Sequence, residues 1–295
     1  MDSVARLALI RADGQSWADG IVHDLLEPKI SGETSRWPSL VDVYSQLAEA
    51  APRVFLDCLD DMLERDATLF FQDQNGADLL FAPTSPHVYL LWALERLAWQ
   101  KEHFPRVLGL LAKMAAADPG GHTSNRPTAS LVTILLPWSP QHGESMERAV
   151  EALEMLYRSF PAVAWEVAAR LLPTSWSVSS GTSTPEYRPF GGTRSVTVKE
   201  YWQFIRAVVE KMIGWADAVP ARLARLVEAY PELHKGWSEV GDLVTSSLGE
   251  VDVTSFRDED KAIVHKALRE LVAHHREHED ADWALDQPFP ERTEA

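Results

Sequence analysis

The sequence predicts an all-α fold in which antiparallel helix pairs stack side by side as an α-solenoid. The first observation behind this prediction is an internal repeat, in which four prolines recur at separations of 53, 56 and 59 residues. The second is that apolar residues follow each proline with helical spacing, and that another helical segment precedes it. The third is that strand-like alternation is scarce. The one β-structure that the sequence leaves open as an alternative is a small hairpin between residues 68–71 and 78–81 across Asn75-Gly76.

The repeated unit begins at Pro52, Pro105, Pro161 and Pro220, each of which is expected to open a helix. The first helical position suits proline, because its missing N–H would have no partner there in any case. In every copy the residues 3, 6, 7 and 10 positions beyond the proline are apolar or nearly so, which is the stripe of an amphipathic helix. These sixteen residues are Phe55, Cys58, Leu59, Met62, Leu108, Leu111, Ala112, Ala115, Ala164, Val167, Ala168, Leu171, Leu223, Leu226, Val227 and Tyr230.

A second helix precedes each proline and carries an apolar stripe of its own. These stripes begin at Leu40, Leu90, Met146 and Ile205. Two helices joined by so short a corner must lie antiparallel, and a single pair cannot bury its apolar faces. Stacking the pairs in a HEAT- or TPR-like row buries those faces, so a solenoid is the expected arrangement.

Two more helices are expected beyond the fourth copy. Leu233, Trp237, Val240 and Val244 mark one after Pro231, and Val264, Ala267, Leu268 and Leu271 mark the last. Thr197 and Glu200 have the spacing of a capping box, at the start of a long helix that runs to about Trp215. The sequence therefore predicts one α-solenoid domain over residues 1–276, followed by an acidic, flexible tail over residues 277–295.

The composition is that of an ordinary globular protein, with 295 residues of which 45% are hydrophobic and 24% charged. The net charge of −16 argues against a nucleic-acid partner, since affinity for phosphates rests on clustered lysine and arginine. No apolar run has the length of a signal peptide or a membrane span, so we expect a cytoplasmic protein without membrane contact. The single cysteine, Cys58, lies on an apolar stripe and is expected to be buried and inert.

Two loops rich in helix breakers are the candidate binding sites. Residues 118–127 and 174–195 interrupt the helical pattern, and loops as long as the second are usually functional or disordered. Their imidazole, amide, aromatic and guanidinium groups suit the recognition of anions or of partner side chains. The candidate binding residues are His122, Asn125, Arg126, Trp176, Tyr187 and Arg188. The alternative is plain connection, with Arg126 or Arg188 bonding carbonyls at a helix C-terminus.

Three of the eleven tryptophans lie at or beside loops, namely Trp37, Trp138 and Trp176. We expect these three to be partly exposed. Because exposed aromatic side chains are frequent anchors of protein interfaces, they are candidates for partner contact.

The motifs of common enzyme classes are missing from this sequence. It contains no P-loop, no Gly-x-Gly-x-x-Gly and no Gly-x-Ser-x-Gly, so no catalytic residue and no cofactor is predicted. His274 and His278 are spaced like two imidazole ligands on one helix face, which leaves a metal-assisted hydrolase as one alternative function. Histidines also favour a solvated helix C-terminus without any metal. The other alternative is a small-molecule or nucleotide sensor, in which the loop 174–195 folds over an anionic ligand.

Several segments in the middle of the chain carry a resemblance to a known group of proteins. They are residues 89–99 (YLLWALERLAW), 104–114 (FPRVLGLLAKM), 125–127 (NRP), 135–138 (LLPW), 169–173 (ARLLP), 183–185 (STP) and 188–189 (RP). Together these segments resemble the helical-repeat region of large bacterial anti-phage and signalling proteins of the SIR2/STAND type. In those proteins a SIR2-like or other effector, and often a STAND-type ATPase, precedes such an array. This sequence carries neither signature.

The resemblance implies a scaffold or sensor portion of a bacterial defence or signalling system, with an effector or ATPase encoded nearby. The repeat itself points the same way, because stacked helix pairs offer an extended surface for a protein partner. The leading hypothesis is therefore a non-catalytic, protein-binding scaffold or sensor module.

Overall fold

Helices are the only regular elements in the described part of the chain. The computed structural model describes residues 1–10, 13–27, 36–71, 85–121, 124–217, 219–252, 254 and 256–277. Within these ranges lie thirteen α-helices and two 3-10 helices, and no strand. The predicted all-α class is therefore confirmed.

The α-helices are short, between 7 and 20 residues long. In chain order they are α1 (Asp2–Ile10), α2 (Gly14–Leu26), α3 (Tyr44–Ala50), α4 (Pro52–Arg65), α5 (Pro86–Ala98), α6 (Phe104–Ala116), α7 (Pro127–Ile134), α8 (Met146–Ser159), α9 (Pro161–Leu171), α10 (Val198–Ala216), α11 (Pro220–Gly236), α12 (Ser238–Gly249) and α13 (Asp258–Glu277). One 3-10 helix, Trp37–Val43, leads into α3, and the other, Leu69–Phe71, follows α4. None of the helices described has the length and apolar character that crossing a membrane requires.

The contacts group the chain into two compact units. Unit 1 comprises Met1–Val167 and Ser179–Val196, and unit 2 comprises Ala168–Val178 and the described residues from Thr197 onward. The second segment of unit 1 belongs to the long loop, although the chain on either side of it belongs to unit 2. The single domain expected over residues 1–276 stays a prediction.

In unit 1 the helices pack in two rows. In one row α1 contacts α3, and α3 contacts α5. In the other row α2 contacts α4, α4 contacts α6, and α6 contacts α8. Consecutive helices such as α3 with α4 and α5 with α6 pack across the rows. These are the neighbours expected of stacked helix pairs, while the solenoid as an arrangement of the whole chain stays a prediction.

In unit 2 the helix α11 is the common neighbour, since α10, α12 and α13 all contact it. The helix α10 begins with the capping box that the sequence predicts. Thr197 Oγ1 accepts from the Glu200 N–H at 3.2 Å, and the Glu200 carboxylate accepts from the Thr197 N–H at 2.9 Å. The helix ends at Ala216, one residue beyond the predicted end, and Asp217 follows in the left-handed conformation with φ 45°.

The predicted apolar stripes form the core. Fifteen of the sixteen stripe residues are buried, and the sixteenth, Ala115, is half-buried. Pro52, Pro161 and Pro220 are the first residues of α4, α9 and α11, whereas Pro105 is the second residue of α6. The repeat thus predicts correctly which side of each of these four helices faces inward.

Two element boundaries were predicted wrongly. The helix expected after Pro231 begins only at Ser238, because Pro231 lies inside α11. An interior proline costs about 3 kcal/mol, and the burial of Tyr230 and Leu233 on either side of it helps α11 to continue. The segment before Pro52 is also not one α-helix, since its first half, Trp37–Val43, is a 3-10 helix.

The hairpin that the sequence leaves open is not formed where the structure describes it. Leu69–Phe71 forms a 3-10 helix instead of a strand, and the rest of that hairpin lies outside the described residues. The helices α1 and α2 precede the first predicted helix, and they were not predicted.

Trp37 was expected to be partly exposed, and this prediction is wrong. Its indole is fully buried and lies 5.4–5.5 Å, between ring centroids, from Tyr44, Phe55 and Phe70. The Tyr44 hydroxyl donates to the Trp37 carbonyl at 2.7 Å, which holds the 3-10 segment against α3. A tryptophan side chain buries a large apolar area, so its packing against these rings decides its exposure even though the residue stands beside a loop.

Candidate functional site

The long loop between α9 and α10 contains the best-defined polar arrangement of unit 1. We call residues 181–190 of this loop the strap. The strap has no regular secondary structure, yet its backbone and side chains bond to α3, to α5 and to the turn after α7. The residues that hold it are Glu49, Glu95, Arg96, Trp99 and Gln141, and we call these five the seat.

Glu49, the penultimate residue of α3, is the central contact of the seat. Its fully buried carboxylate accepts the N–H groups of three consecutive strap residues, at 3.0 Å from Glu186, 2.7 Å from Tyr187 and 3.1 Å from Arg188. Arg96 of α5 adds a fourth donor, with Nη1 2.8 Å from Glu49 Oε1. Successive N–H groups that converge in this way form an anion-binding nest, and here the bound anion is the protein's own carboxylate.

Arg188 completes the contact from the strap side. Its Nε donates to the Glu49 carbonyl at 2.6 Å, and its Nη2 donates to the Ala50 carbonyl at 3.3 Å and to Gln15 Oε1 at 2.8 Å. Because α3 ends at Ala50, these are terminal carbonyls that no intrahelical N–H satisfies. A cation is favoured at this negative end of a helix. This is the role that the sequence left open for Arg188 as the alternative to partner recognition.

Glu95 holds the start of the strap. This buried carboxylate of α5 accepts from Ser130 Oγ at 2.6 Å and from the Ser183 N–H at 3.0 Å. Burial raises the pKa of Glu95, and the hydrogen bonds from Ser130 and Ser183 partly oppose that rise. Trp99 Nε1 donates to the Ser183 carbonyl at 3.2 Å. The N–H and the carbonyl of Ser183 are therefore both bonded, one to α5 and the other to the residue that directly follows α5.

The apolar contacts of the strap are fewer. Pro185 is buried, and the Phe190 ring packs edge-on against Trp99 with 5.2 Å between centroids. The ring of Tyr187 lies beneath the Arg6 guanidinium of α1, at 5.8 Å from its centroid. Burial, with the carboxylates of Asp2 and Glu186 nearby, raises the pKa of Tyr187 to about 12. The strap is thus held mainly by hydrogen bonds to its backbone.

The first candidate loop is tied to its own surroundings. Arg126 donates through Nε to Asp118 at 2.8 Å, and its guanidinium lies 5.5 Å from the Phe71 ring centroid. Arg126 is thus bonded to a carboxylate, and not to the helix carbonyls suggested as the alternative. The carbonyl of the exposed Asn125 accepts from Nε2 of the buried His87 at 3.0 Å. His122 lies outside the described residues.

Trp176 lies in unit 2 and contrasts with the strap. Its side chain is 83% exposed, and Val178 is 75% exposed. Thr174 Oγ1 donates to the Trp176 carbonyl at 2.8 Å and lies at the same distance from Ser177 Oγ, so the backbone is fixed locally while the indole faces solvent. Tyr187 and Arg188 therefore share one arrangement, whereas Asn125 and Arg126 belong to another and Trp176 to a third.

The acidic residues of the seat are not among the binding residues predicted from the sequence. Both Glu49 and Glu95 lie among apolar residues of helices, and a charge inside such a pattern is a signal of a buried, bonded carboxylate. That signal could have found Glu95, which is flanked by Leu94 and Leu97 on α5. It gives no indication, however, of the distant residues that supply the hydrogen bonds.

A metal site is not formed by the described residues, among which no group of three or more His, Cys, Asp or Glu side chains could hold an ion. The side chain of His274 and all of His278 lie outside the described residues, so the histidine pair stays a prediction.

The resemblance to SIR2/STAND-type repeat regions stays a prediction as well. No protein-family model, no curated protein and no solved structure matches this chain.

Proposed function

We propose that this protein is a non-catalytic, protein-binding scaffold or sensor module and that Trp176 anchors its partner. The observation that carries the proposal is the exposure of this indole, at 83% the highest among the exposed large hydrophobic side chains of the described chain. A tryptophan in water leaves a large apolar area unburied, and partner binding removes that area from solvent. Tryptophan is also among the residues that most often dominate the binding energy of interfaces.

The neighbourhood of Trp176 supports the proposal. Val178 adds a second exposed apolar side chain two residues away. The hydrogen bonds of Thr174 to the Trp176 carbonyl and to Ser177 order the backbone that presents the indole. Ordering before binding lowers the entropy cost of association, which favours an anchor on a pre-formed segment.

The proposal includes a cellular setting. We place the module in the bacterial cytoplasm, in defence or signalling, with an effector or ATPase encoded nearby as the protein partner. Support comes from the resemblance of the segments between residues 89 and 189 to repeat regions of anti-phage proteins. The all-helical architecture is compatible with that setting, because helical-repeat proteins present extended binding surfaces.

The test compares full-length variants as bait in the native host. Trp176→Ala is expected to lose a partner that wild type captures, by about 30-fold or more, because anchor residues contribute 2 kcal/mol or more. Trp138→Ala is the matched control, since Trp138 is also exposed, at 40%, but lies in unit 1. The captured protein is then purified, and its Kd is measured against all three chains.

Circular dichroism and the Tm of each variant establish that the substitutions leave the fold intact. Capture of no protein above background by wild type contradicts the proposed function. Equal Kd values for wild type and Trp176→Ala contradict the role of Trp176.

A further inference from the structure

We infer that the seat is a groove for an extended peptide, and that the strap is a built-in occupant which competes with a segment of a partner protein. This goes beyond the proposed function, because the seat lies in unit 1 and Trp176 does not belong to it. The occupant that we propose is a segment with the strap's chemistry. It carries a turn with three free N–H groups, a proline before the turn and an arginine at its end.

The seat recognises mainly the backbone of the strap. Glu49 and Glu95 bind backbone N–H groups, and Trp99 binds a backbone carbonyl. Main-chain recognition of an extended segment does not depend on most of its side chains, so it is available to any chain that can adopt the same turn. Selectivity comes from the carbonyls at the end of α3, which accept from the Arg188 guanidinium and therefore favour a segment with an arginine at this position.

The interactions that dock the strap are nearly balanced by the cost of docking it. Glu49 is fully buried while the strap is docked, so docking costs the desolvation of a carboxylate, which its four donors offset. Few apolar contacts add to this, since Pro185 is the one strap residue that is buried. Segments held by few buried apolar contacts open at a lower free energy than the core does. The strap can therefore leave while the helices stay folded.

The course of the chain also supports a separable strap. The strap packs within unit 1, while Ala168–Val178 before it and the described residues from Thr197 onward belong to unit 2. Segments of unit 2 flank the stretch Ser179–Val196 that contains the strap, so none of the helices of the seat continues directly into it, and in this respect the strap resembles a peptide from another protein. The tether keeps the strap at a high effective concentration, so a competing segment binds wild type weakly unless the strap is loosened.

The experiment uses a fluorescent peptide with the sequence of residues 181–192 and measures its binding by anisotropy. Two full-length proteins supply a free seat. In Arg188→Ala the strap loses its guanidinium contacts, while the five seat residues are unchanged. In the second protein a Gly/Ser linker of equal length replaces residues 182–190. We expect both to bind the peptide at least about tenfold more tightly than wild type does. In these proteins the strap no longer occupies the seat, and the peptide can form the strong hydrogen bonds to charged groups that the strap forms in wild type.

Three controls define the site. A peptide that carries the Arg188→Ala change, and a scrambled peptide, are expected to bind at least about tenfold more weakly to either protein. Adding Glu49→Gln to Arg188→Ala is expected to abolish binding, because the protein then lacks the carboxylate that accepts the three N–H groups of the peptide. Hydrogen exchange of amides 186–188 in Arg188→Ala checks that the strap is loosened even if the linker variant does not fold.

Failure of peptide binding to an Arg188→Ala protein whose strap amides exchange faster overturns the inference, as does equal binding of the scrambled peptide. Unchanged exchange at these amides also overturns it, because the strap then does not depend on the arginine. Trp176→Ala is expected to leave peptide binding by the loosened protein unchanged. The two proposals can therefore fail independently of each other.

Discussion

Replacing Glu49 by glutamine tests the central contact of the seat. Glutamine has nearly the same size but only one acceptor oxygen, and its NH2 group faces strap N–H groups that need an acceptor. Glu49 now accepts from three strap N–H groups and from Arg96. Each hydrogen bond to a charged group is worth about 1.5–3 kcal/mol, so two lost bonds amount to about 3–6 kcal/mol.

Relief from desolvation of the buried carboxylate offsets part of this loss. We therefore expect the Glu49→Gln variant to lose about 3 kcal/mol from the free energy that docks the strap, near the lower end of that range. The loss in global unfolding free energy has an upper limit, because the strap detaches once its docking free energy is exhausted. Local opening is accordingly the more sensitive measurement.

The assay is hydrogen exchange of the amides of residues 183, 184 and 186–188, combined with urea unfolding followed by tryptophan fluorescence. A loss of about 3 kcal/mol in the docking free energy of the strap corresponds to exchange of the strap amides that is more than about 100-fold faster in Glu49→Gln. Exchange of the core helices is expected to change little. Glu186→Gln is the matched control. Its carboxylate is 53% exposed and lies 3.3 Å from the same Arg96, so less than about 1 kcal/mol is expected.

Equal protection of the strap amides in wild type and Glu49→Gln would refute this reasoning. So would an effect of Glu186→Gln as large as that of Glu49→Gln, since the buried carboxylate would then have no special role.

Two further predictions concern buried titratable groups. Burial and the charge of Arg194 lower the pKa of His142 from 6.5 to about 4. The folded state therefore favours the neutral ring, and we expect about 3 kcal/mol of stability, complete above pH 6.5, to be lost as the pH falls towards 4. Urea unfolding at a series of pH values checks this, and a His142→Asn variant with an unchanged pH slope would contradict it. Burial also raises the pKa of Cys58, the single cysteine, to about 12. A thiol reagent at pH 8 is expected to label the chain only in denaturant, and rapid labelling of the native protein would show the thiol to be accessible.

The positions of many helices could be predicted from the sequence, because the signals that define them are local. The capping box at Thr197 joins residues three positions apart, and the stripe after each proline follows the period of one helix. Where a local signal was misleading, packing overrode it. Pro231 was expected to end a helix, yet α11 continues through it between the buried Tyr230 and Leu233.

The exposure of residues near loops could not be predicted in the same way. Trp37 and Trp176 both stand beside segments rich in helix breakers, yet one is fully buried and the other is 83% exposed. The difference arises from Tyr44, Phe55 and Phe70, which surround Trp37. Residues that come together through the fold leave no periodic signal near the residue that they cover.

The helical class and the inward side of the repeated helices follow from the sequence, because a helix repeats every 3.6 residues and its apolar stripe has the same period. The burial of Glu49 and the capping of α3 by Arg188 arise only when distant segments pack together. The hydrogen bonds between Glu49 and the strap join residues 137–139 positions apart. No local spacing specifies such a pairing. A carboxylate that would lie in water on an isolated helix becomes the centre of the seat only when the distant strap brings its amides to it.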